Sequence, residues 1–199
     1  NLHIISLVSP GNVHASQDHV HALLDFCKQQ KVKNVFIHAI LDGRDTKYNA
    51  GAEFIANLQA KMKELKIGEI ATLSGREFAM DRDNRWERIE AAYRAMAEGV
   101  SPAYFSDPQE AIQTSYAQEV YDENFVPTVI GDEGTPTGVV SDNDAVIFAN
   151  FRPDRARELT KAFVLPGFQK FERILKQNLY FVTMTEYEKD LPIDFLFGK

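Results

Sequence analysis

The stretch 34-NVFIHAI-40 is a short run of apolar and β-branched residues that ends directly at the polar loop 41-LDGRD-45. Runs of this kind predict buried β-strands, and helical patterns separate them along the chain. Such alternation is typical of β/α units that build a mostly parallel sheet with helices on both faces. The sequence therefore predicts an α/β fold of three layers, α/β/α. The predicted strands span residues 3–8, 34–40, 69–74, 145–150 and 179–184.

Helical periodicity and capping signals mark the segments between these strands. The clearest start is Asp107-Pro108, where an Asp cap, a Pro at the first helical position and Glu110 three residues after the cap coincide. The pattern changes where 127–130 and 137–140 flank the turn 131-GDEG-134, which predicts an added β-hairpin and hence a mixed sheet. No repeat or linker divides the chain, so residues 1–199 are predicted to form one domain. The predicted helices span 17–31, 50–66, 84–98, a segment from 108 onward, and 153–164.

The composition narrows the classes of function. The chain has 199 residues, with 22 Lys plus Arg against 29 Asp plus Glu and a formal net charge of −7. Excess basic charge drives general binding to nucleic acids, so this balance argues against a nucleic-acid partner. No apolar run approaches the roughly 20 residues that span a bilayer, so no membrane partner is expected. The single cysteine, Cys27, cannot form an internal disulfide framework and fits a cytoplasmic protein.

The two ends of the sequence suggest a piece of a longer protein. Asn1-Leu2 leads into the first predicted strand without a Met or a polar lead-in. The far end, residues 193–197, is apolar, whereas the ends of most domains are polar and loosely ordered. We therefore expect the natural protein to extend beyond these residues.

Arginine is the residue shared by the loops that follow the predicted strands. In open α/β sheets ligands bind beyond the carboxyl ends of the strands, so these loops are expected to converge. Arg supplies a rigid fork of donors that matches carboxylate and phosphate groups, so several arginines around one crevice predict a small ligand with more than one anionic group. The loops carry Arg44, Arg76, Arg152 and Arg155, with Arg82 close behind the third strand.

Each of these residues also has a structural interpretation. An Arg next to an Asp, as in Arg44-Asp45, is an ordinary surface ion pair when it is taken alone. Asp45 is either that partner or a carboxylate that contacts a substrate hydroxyl. His14 follows a Gly-Asn turn and is a general acid/base, a residue that hydrogen-bonds a ligand, or a loop histidine that is hydrogen-bonded to backbone. His38 lies in a buried strand pattern and is interpreted as structural.

Several chemistries have no support in the sequence. There is no Walker loop, no Gly-x-Gly-x-x-Gly, no Gly-x-Ser-x-Gly and no His-Glu-x-x-His. Nucleotide binding, serine hydrolysis and zinc proteolysis are therefore not indicated. The sequence shows no cluster of metal ligands either, so no metal site is expected in this chain. The residues by themselves predict an arginine-lined crevice for a small polyanion.

Four loop motifs follow one another over nearly the whole chain. They are 38-HAILDGRDT-46, then 74-SGR-76 with 79-AMDRD-83 and 85-RW-86, then 150-NFRPDRAR-157, and finally 181-FVTMTEY-187. In identity and order they resemble the cofactor-independent (2,3-bisphosphoglycerate-independent) phosphoglycerate mutases. The resemblance is to one part of that enzyme, the phosphotransferase or substrate-binding domain, which is inserted into an alkaline-phosphatase-like domain.

The resemblance implies an isomerase that interconverts 3-phosphoglycerate and 2-phosphoglycerate in glycolysis through a phosphoserine intermediate. The serine and two metal ions, expected to be manganese, belong to the phosphatase-like domain, which would be the partner of this domain within the same protein. An inserted domain also implies that Asn1 and Lys199 lie close together. Asp45 and His14 are the implied catalytic residues. The implied substrate-binding positions are His14, Arg44, Asp45, Arg76, Arg82, Arg152 and Arg155.

One loop departs from the family pattern. Where the family usually reads Ser-Asp-Gly-Gly-Val-His-Ser, this chain reads 9-SPGNVHA-15. Pro10 removes a carboxylate and an amide donor, whereas Asn12 can adopt the left-handed backbone where Gly is expected. The departure suits a second hypothesis, a non-catalytic module that binds small phosphorylated acids. A third hypothesis is a metal-dependent phosphatase or phosphopentomutase relative with a different inserted domain.

Overall fold

Strands and helices alternate along most of the chain in the computed structural model, which describes residues 1–198. The nine strands are β1 (Leu2–Leu7), β2 (Val35–Leu41), β3 (Glu69–Gly75), β4 (Tyr104–Phe105), β5 (Thr128–Asp132), β6 (Thr135–Pro136), β7 (Ala145–Phe148), β8 (Tyr180–Thr185) and β9 (Asp194–Phe197). The six α-helices are α1 (Gln17–Gln29), α2 (Gly51–Leu65), α3 (Arg76–Ala79), α4 (Trp86–Glu98), α5 (Pro108–Ala117) and α6 (Arg157–Val164). A single 3-10 turn, Asp122–Asn124, precedes β5.

The strands form one mixed, mostly parallel sheet with the order β4-β5-β3-β2-β1-β7-β8-β9, and β6 pairs with β5. β5 pairs antiparallel with β3 and with β6, and the other described pairs are parallel. Because β4 is parallel to β5, both strands run opposite to β3. Helices α1, α2 and α5 contribute to the hydrophobic core on one face, and α4 and α6 contribute to the core on the other. The predicted three-layer α/β/α fold is confirmed.

The five predicted strands are all present, with ends that differ by at most two residues. The helix predicted from residue 153 begins only at Arg157, so this start was wrong by about one turn. Residues 153–156 form a tight turn in which the Ala156 amide donates to the Pro153 carbonyl at 3.1 Å. The side chains of Asp154 and Arg155 are held by groups on other loops, which keeps this segment out of the helix.

The predicted β-hairpin is present but shorter than expected. It consists of β5 and β6, and β5 also joins the main sheet beside β3. Residues 137–140 are not a strand, contrary to the prediction, because they pack on the sheet and on α4 instead. Gly138 lies so close to the Phe36 ring that a Cβ would come within 2.5 Å of it, and the Val140 amide donates to the Met96 carbonyl at 2.9 Å.

The predicted helix start at Asp107-Pro108 is confirmed. The Asp107 side chain accepts a hydrogen bond from the Gln109 amide at 3.0 Å and caps α5, with Pro108 as the first helical residue. Cys27 is buried among apolar residues. No helix within residues 1–198 is long and apolar enough to cross a membrane.

The expected proximity of Asn1 and Lys199 stays a prediction. Leu2 starts β1, a central strand, at the amino edge of the sheet. Phe197 ends β9, the outer strand beside β8, and the parallel register places it at the carboxyl edge. Lys199 itself lies outside the described residues.

Candidate functional site

Four loops converge at the carboxyl edge of the sheet, as predicted. They follow β3, β2, β1 and β7, which are consecutive neighbours in the sheet. Because these strands are parallel, their carboxyl ends all open onto the same crevice. Each loop brings at least one of the arginine, histidine or carboxylate side chains singled out in the sequence.

A buried ion cluster lies at the centre of this crevice. The Arg76 Nη1 atom donates to Asp42 Oδ1 and to Asp45 Oδ2, each at 2.7 Å. Asp42 also accepts hydrogen bonds from the Ser9 hydroxyl at 2.6 Å and from the backbone amide of Asp45 at 3.0 Å. Only 3% of the Arg76 residue surface is exposed, so this cluster is almost fully removed from water.

The cluster is charged at neutral pH. Burial acts to raise the pKa of Asp42, but the hydrogen bonds from Ser9, Asp45 and Arg76 outweigh burial and hold that pKa below its usual value. Burial acts to lower the pKa of Arg76, but Asp45 and Asp42 raise it above its usual value. A buried guanidinium is therefore fixed between two carboxylates at the ends of β2 and β3.

Asp154 organises a second group of charges at the end of β7. Its Oδ2 atom accepts from Arg82 Nη1 at 2.9 Å, and its Oδ1 atom lies 3.0 Å from Arg152 Nε. His14 Nδ1 lies 3.6 Å from the same Oδ1 atom. Arg82 and Arg152 are about half exposed, so their ion pairs reach the solvent side of the crevice.

His14 is held inside the crevice by the backbone around it. Its carbonyl accepts hydrogen bonds from the amides of Phe151 at 2.8 Å and Arg152 at 3.2 Å, and its residue surface is only 4% exposed. Burial and the nearby Arg76 charge lower the pKa of His14 below its usual value. The ring is therefore neutral at pH 7 and can accept a proton.

The altered loop leaves His14 in the site. Pro10 is exposed to solvent, and Asn12 takes the left-handed backbone, with a φ of 55°, that the sequence allows there. Gly11 lies against the ion cluster, since a Cβ on it would come within 2.9 Å of the Asp45 Cβ. A larger residue at position 11 would therefore push the loop away from Asp45.

Arg155 points into the crevice without an acidic partner. Its Nη1 atom donates to the Met80 carbonyl at 3.2 Å, and no carboxylate among residues 1–198 forms an ion pair with it. Burial lowers the pKa of Arg155, and the charges of Arg82, Arg76 and Arg44 lower it further. Arginine remains protonated under all ordinary conditions, so four guanidinium groups repel one another across this space.

Some buried polar atoms of the site have no hydrogen-bond partner. Among the described residues these include Arg76 Nε, His14 Nδ1 and Asp154 Oδ1. Buried polar groups in folded proteins are nearly always paired. Arg76 Nε is an unpaired buried donor, and the nearby Arg155 guanidinium has no ion pair within residues 1–198; together they indicate a place for an anionic ligand that can accept hydrogen bonds.

The structure brings together all seven residues proposed from the sequence, but not equally deeply. Arg44 lies at the rim, with 56% of its side chain exposed and its Nη1 atom 3.4 Å from Glu123 Oε1. His38, by contrast, lies within the sheet, where its Nδ1 atom is 3.0 Å from the Thr72 hydroxyl. It contributes to the core and not to the crevice.

Sequence reasoning missed several residues that shape the site. Asp42 and Asp154 were noted only as loop members, although each carboxylate holds the cations around it. Asn150 and Tyr187 fix the ends of two strands: Asn150 Oδ1 accepts from the Leu7 amide at 3.0 Å, and the Tyr187 hydroxyl donates to the Asn150 carbonyl at 2.6 Å. The position of Asp42 directly after β2 was the signal that could have identified it.

Comparisons with known proteins identify the family of this chain. A family model described as "BPG-independent PGAM N-terminus" matches residues 1–189. The chain is 50% identical over 192 residues to a 2,3-bisphosphoglycerate-independent phosphoglycerate mutase of Clostridium perfringens, covering 96% of this chain and 37% of the relative. It is 48% identical over 198 residues to the mutase of the same name from Clostridium acetobutylicum, covering 99% of this chain and 38% of the relative.

A solved structure shares the fold. A Leishmania mexicana phosphoglycerate mutase, described at low cobalt concentration, superposes with a TM-score of 0.90 at 32% identity. The match covers 95% of this chain and 36% of that one. The chain thus spans little more than a third of the length of the proteins it matches.

Proposed function

The chain belongs to the BPG-independent phosphoglycerate mutase family, whose N-terminal model it matches, and we propose that it holds the phosphoglycerate in such an isomerase. The activity is the interconversion of 3-phosphoglycerate and 2-phosphoglycerate in glycolysis, which would place the protein in the cytoplasm. The observation that carries the proposal is the crevice in which Arg155 has no acidic partner and Arg76 Nε has no acceptor. An anionic ligand would pair with the Arg155 guanidinium and accept a hydrogen bond from Arg76 Nε.

The arrangement of arginines suits a ligand with two anionic ends. Arg76 and Arg155 are partly or fully buried and would bind one group strongly, because charge-assisted hydrogen bonds gain strength away from water. Arg44, Arg82 and Arg152 are exposed to about half and can move to meet the other group. Phosphoglycerate carries a carboxylate and a phosphate on adjacent or nearby carbons, which is the pair of groups this crevice would accommodate.

His14 and Asp45 would act on the hydroxyl that receives the phosphoryl group. His14 is neutral at pH 7 because burial and Arg76 lower its pKa, so its free ring nitrogen can accept a proton. Asp45 stays close to Arg76 and offers a carboxylate oxygen as a hydrogen-bond acceptor. In phosphoryl transfer most of the catalytic effect comes from positioning and charge neutralisation, and this crevice would supply both.

The remaining chemistry is proposed to lie on a phosphatase-like partner domain of the same protein. Within residues 1–198 no three His, Cys, Asp or Glu side chains are grouped so that they could hold a metal ion. The residues present therefore do not fit a manganese site, and no step is assigned to a metal here. The phosphoserine and two manganese ions implied by the family would be supplied by the partner domain.

Calorimetric titration of the chain with 3-phosphoglycerate tests the proposal. We expect saturable one-to-one binding, with weaker binding of inorganic phosphate and of glycerate because each offers only one of the two anionic groups. Incubation with 3-phosphoglycerate and manganese should yield neither 2-phosphoglycerate nor free phosphate. Absence of saturable binding would exclude the proposed role, and turnover that disappears in Arg155→Ala would show that the nucleophile lies in this chain.

A further inference from the structure

The 3-10 turn Asp122–Asn124 touches both loops that carry the buried ion cluster. Gly43 precedes Arg44, and a Cβ on Gly43 would lie 2.7 Å from the Glu123 amide nitrogen. Gly75 precedes Arg76, and a Cβ on Gly75 would lie 2.4 Å from the Glu123 carbonyl oxygen. Backbone therefore meets backbone at both positions, with no side chain between them to absorb a displacement.

Hydrogen bonds and an ion pair reinforce this contact. The Gly75 amide donates to the Phe125 carbonyl at 2.7 Å, directly after the turn. Glu123 pairs with Arg44 across the same contact, and the Asn124 side-chain amide donates to Glu77 on α3. The turn is thus bonded to the segment after β2 and to the segment after β3.

Asp122 anchors the turn from behind. Its carboxylate is fully buried, and the Oδ2 atom accepts from the Gly51 amide at 2.7 Å, while the Tyr116 hydroxyl donates to Oδ1. Gly51 is the first residue of α2, and the preceding residue Ala50 provides no side-chain cap. Asp122 therefore supplies the missing cap of α2 from a distant part of the chain.

The other side of the crevice is formed by the loop after β7. Arg152 and Arg155 lie on this loop, and within residues 1–198 neither forms a hydrogen bond or ion pair with the 3-10 turn. The turn can therefore influence one half of the site, formed by Arg44, Asp45 and Arg76, without touching the other half.

We infer that Asp122 is a positioning residue, which acts through the turn 122–124 to fix Arg76 and the loop 43–45 in the geometry that binds the phosphoglycerate. The inference rests on the proposed function for its ligand, but the placement of Arg76 can be measured without one. A buried carboxylate that only capped α2 would stabilise the fold and leave the geometry of the ligand site unchanged. Removal of a positioning residue would alter both the stability of the fold and the geometry of the ligand site.

The first measurement needs no ligand. The Nε–H signals of Arg76 and Arg155 are recorded by 15N NMR in the unliganded chain and in Asp122→Ala, Asp122→Asn and Tyr116→Phe. We expect the Arg76 signal to move in all three variants, least in Asp122→Asn because an amide oxygen can still accept from Gly51, while the Arg155 signal stays in place. The control is Asp107→Ala, which removes the exposed cap of α5 and should move neither signal.

The second measurement is 3-phosphoglycerate binding by calorimetry. Asp122→Ala should weaken binding by about tenfold through misplacement of Arg76 and of the loop that carries Arg44, whereas Asp107→Ala should bind like the original chain. In a double-mutant cycle the Asp122→Ala penalty should shrink in the Arg44→Ala background, because Arg44 lies on the braced loop. The Asp122→Ala penalty should persist in full in the Arg152→Ala background. Arg152 is about as exposed as Arg44, but it lies on the loop after β7.

The outcomes separate the inference from the proposed function. An Arg76 signal that stays in place in Asp122→Ala, or a binding penalty equal in both backgrounds, overturns the positioning role. Failure of the original chain to bind 3-phosphoglycerate overturns the proposed function, and the Arg76 signal still decides whether Asp122 positions it. If Asp122→Ala does not fold, Asp122→Asn and Tyr116→Phe carry the same test.

Discussion

One group of buried polar side chains lies within this sheet and another lies at its edge, and the two groups differ in whether every polar atom has a partner. One is a chain of hydrogen bonds within the sheet that joins Asp144, His3, His38 and Thr72. The other is the ion cluster at the carboxyl edge, centred on Arg76. Both are almost completely removed from water, so burial alone does not distinguish a structural network from a ligand site.

The histidine chain is complete. Thr72 lies 3.0 Å from His38 Nδ1, His38 Nε2 lies 3.0 Å from His3 Nδ1, and His3 Nε2 lies 3.1 Å from Asp144 Oδ2. If each ring carries its proton on Nε2, every donor in the chain has an acceptor and both rings are neutral. Burial lowers the pKa of both histidines, and strongly so for His38, which agrees with neutral rings.

The arginine cluster is incomplete. Arg76 Nε and His14 Nδ1 have no hydrogen-bond partner, and Arg155, which forms no ion pair within residues 1–198, lies among the charges of Arg82, Arg76 and Arg44. An unsatisfied buried polar group costs about 1–3 kcal/mol, so such a cluster persists in a folded protein where a ligand completes it. Unfilled hydrogen bonds that coincide with several guanidinium groups, more than buried charge alone, therefore distinguish the ligand crevice from the structural network.

The largest expected effect is on stability in Arg76→Ala. Removal of the guanidinium leaves the buried carboxylates of Asp42 and Asp45 facing each other, so we expect the free energy of unfolding to fall by about 3–5 kcal/mol. Urea denaturation at pH 7 measures it. Arg44→Ala, which removes an exposed arginine, is the control and should change stability by less than about 1 kcal/mol. Equal losses in the two variants would show that the cluster does not stabilise the fold.

Arg155→Ala should separate binding from stability. Binding of 3-phosphoglycerate should weaken by about 2–5 kcal/mol, while the free energy of unfolding stays the same or rises because repulsion among the arginines is relieved. Arg173→Ala is a matched control, since Arg173 is also half-buried and bonded to a carbonyl, that of Leu165. Unchanged affinity in Arg155→Ala would remove this residue from the site.

Thr72→Val should lower stability without changing phosphoglycerate binding. The variant keeps the shape of the side chain but leaves His38 Nδ1 without a donor, so the unfolding free energy should fall by about 1–3 kcal/mol, with phosphoglycerate affinity unchanged. Thr160→Val is the control: the Thr160 hydroxyl donates to the Ala156 carbonyl, which also accepts the Thr160 amide, so the loss should be smaller. A change in affinity would link the histidine chain to the ligand site.

The most gradual expected effect is the pH dependence of stability. Because the folded pKa values of His3 and His38 lie below the unfolded value, the unfolded chain binds more protons at mildly acid pH. Stability is therefore complete above about pH 6.5 and falls as the pH drops below that value, by at most about 1.4 kcal/mol per pH unit for each histidine.

Urea denaturation between pH 8 and pH 5 measures this slope. His38→Asn should reduce the slope below pH 6.5 and leave the plateau between pH 7 and pH 8 flat. Stability that rises on acidification, or a slope that is the same in His38→Asn, would contradict neutral buried rings.

The sequence predicted the fold well where local patterns agree with tertiary packing. β2 is an example, since its run of β-branched and apolar residues is buried on both faces and lies at the centre of the sheet. The start of α6 was wrong because Pro153 signals a first helical turn, whereas Asp154 is held by Arg82 and Arg152. Such long-range ion pairs have no periodic signature in a sequence.

The site was predictable to the level of its arginines and no further. Arg76 and Arg155 follow parallel strands, and the rule that such loops converge locates them. Their difference in function depends on partners distant in sequence, Asp42 for Arg76 and the Met80 carbonyl for Arg155. Asp122 escaped detection for the same reason, because its role depends on contacts with Gly51 and Tyr116 and on the turn that it anchors.

The most direct test is to titrate the chain with 3-phosphoglycerate while the arginine Nε–H and histidine ring signals are followed by NMR. The account predicts that the signals of Arg76 and Arg155 shift saturably with one shared dissociation constant. It also predicts that the ring signals of His3 and His38 stay in place, because their hydrogen bonds are already complete. Saturable shifts at His3 and His38, or none at the two arginines, would contradict it.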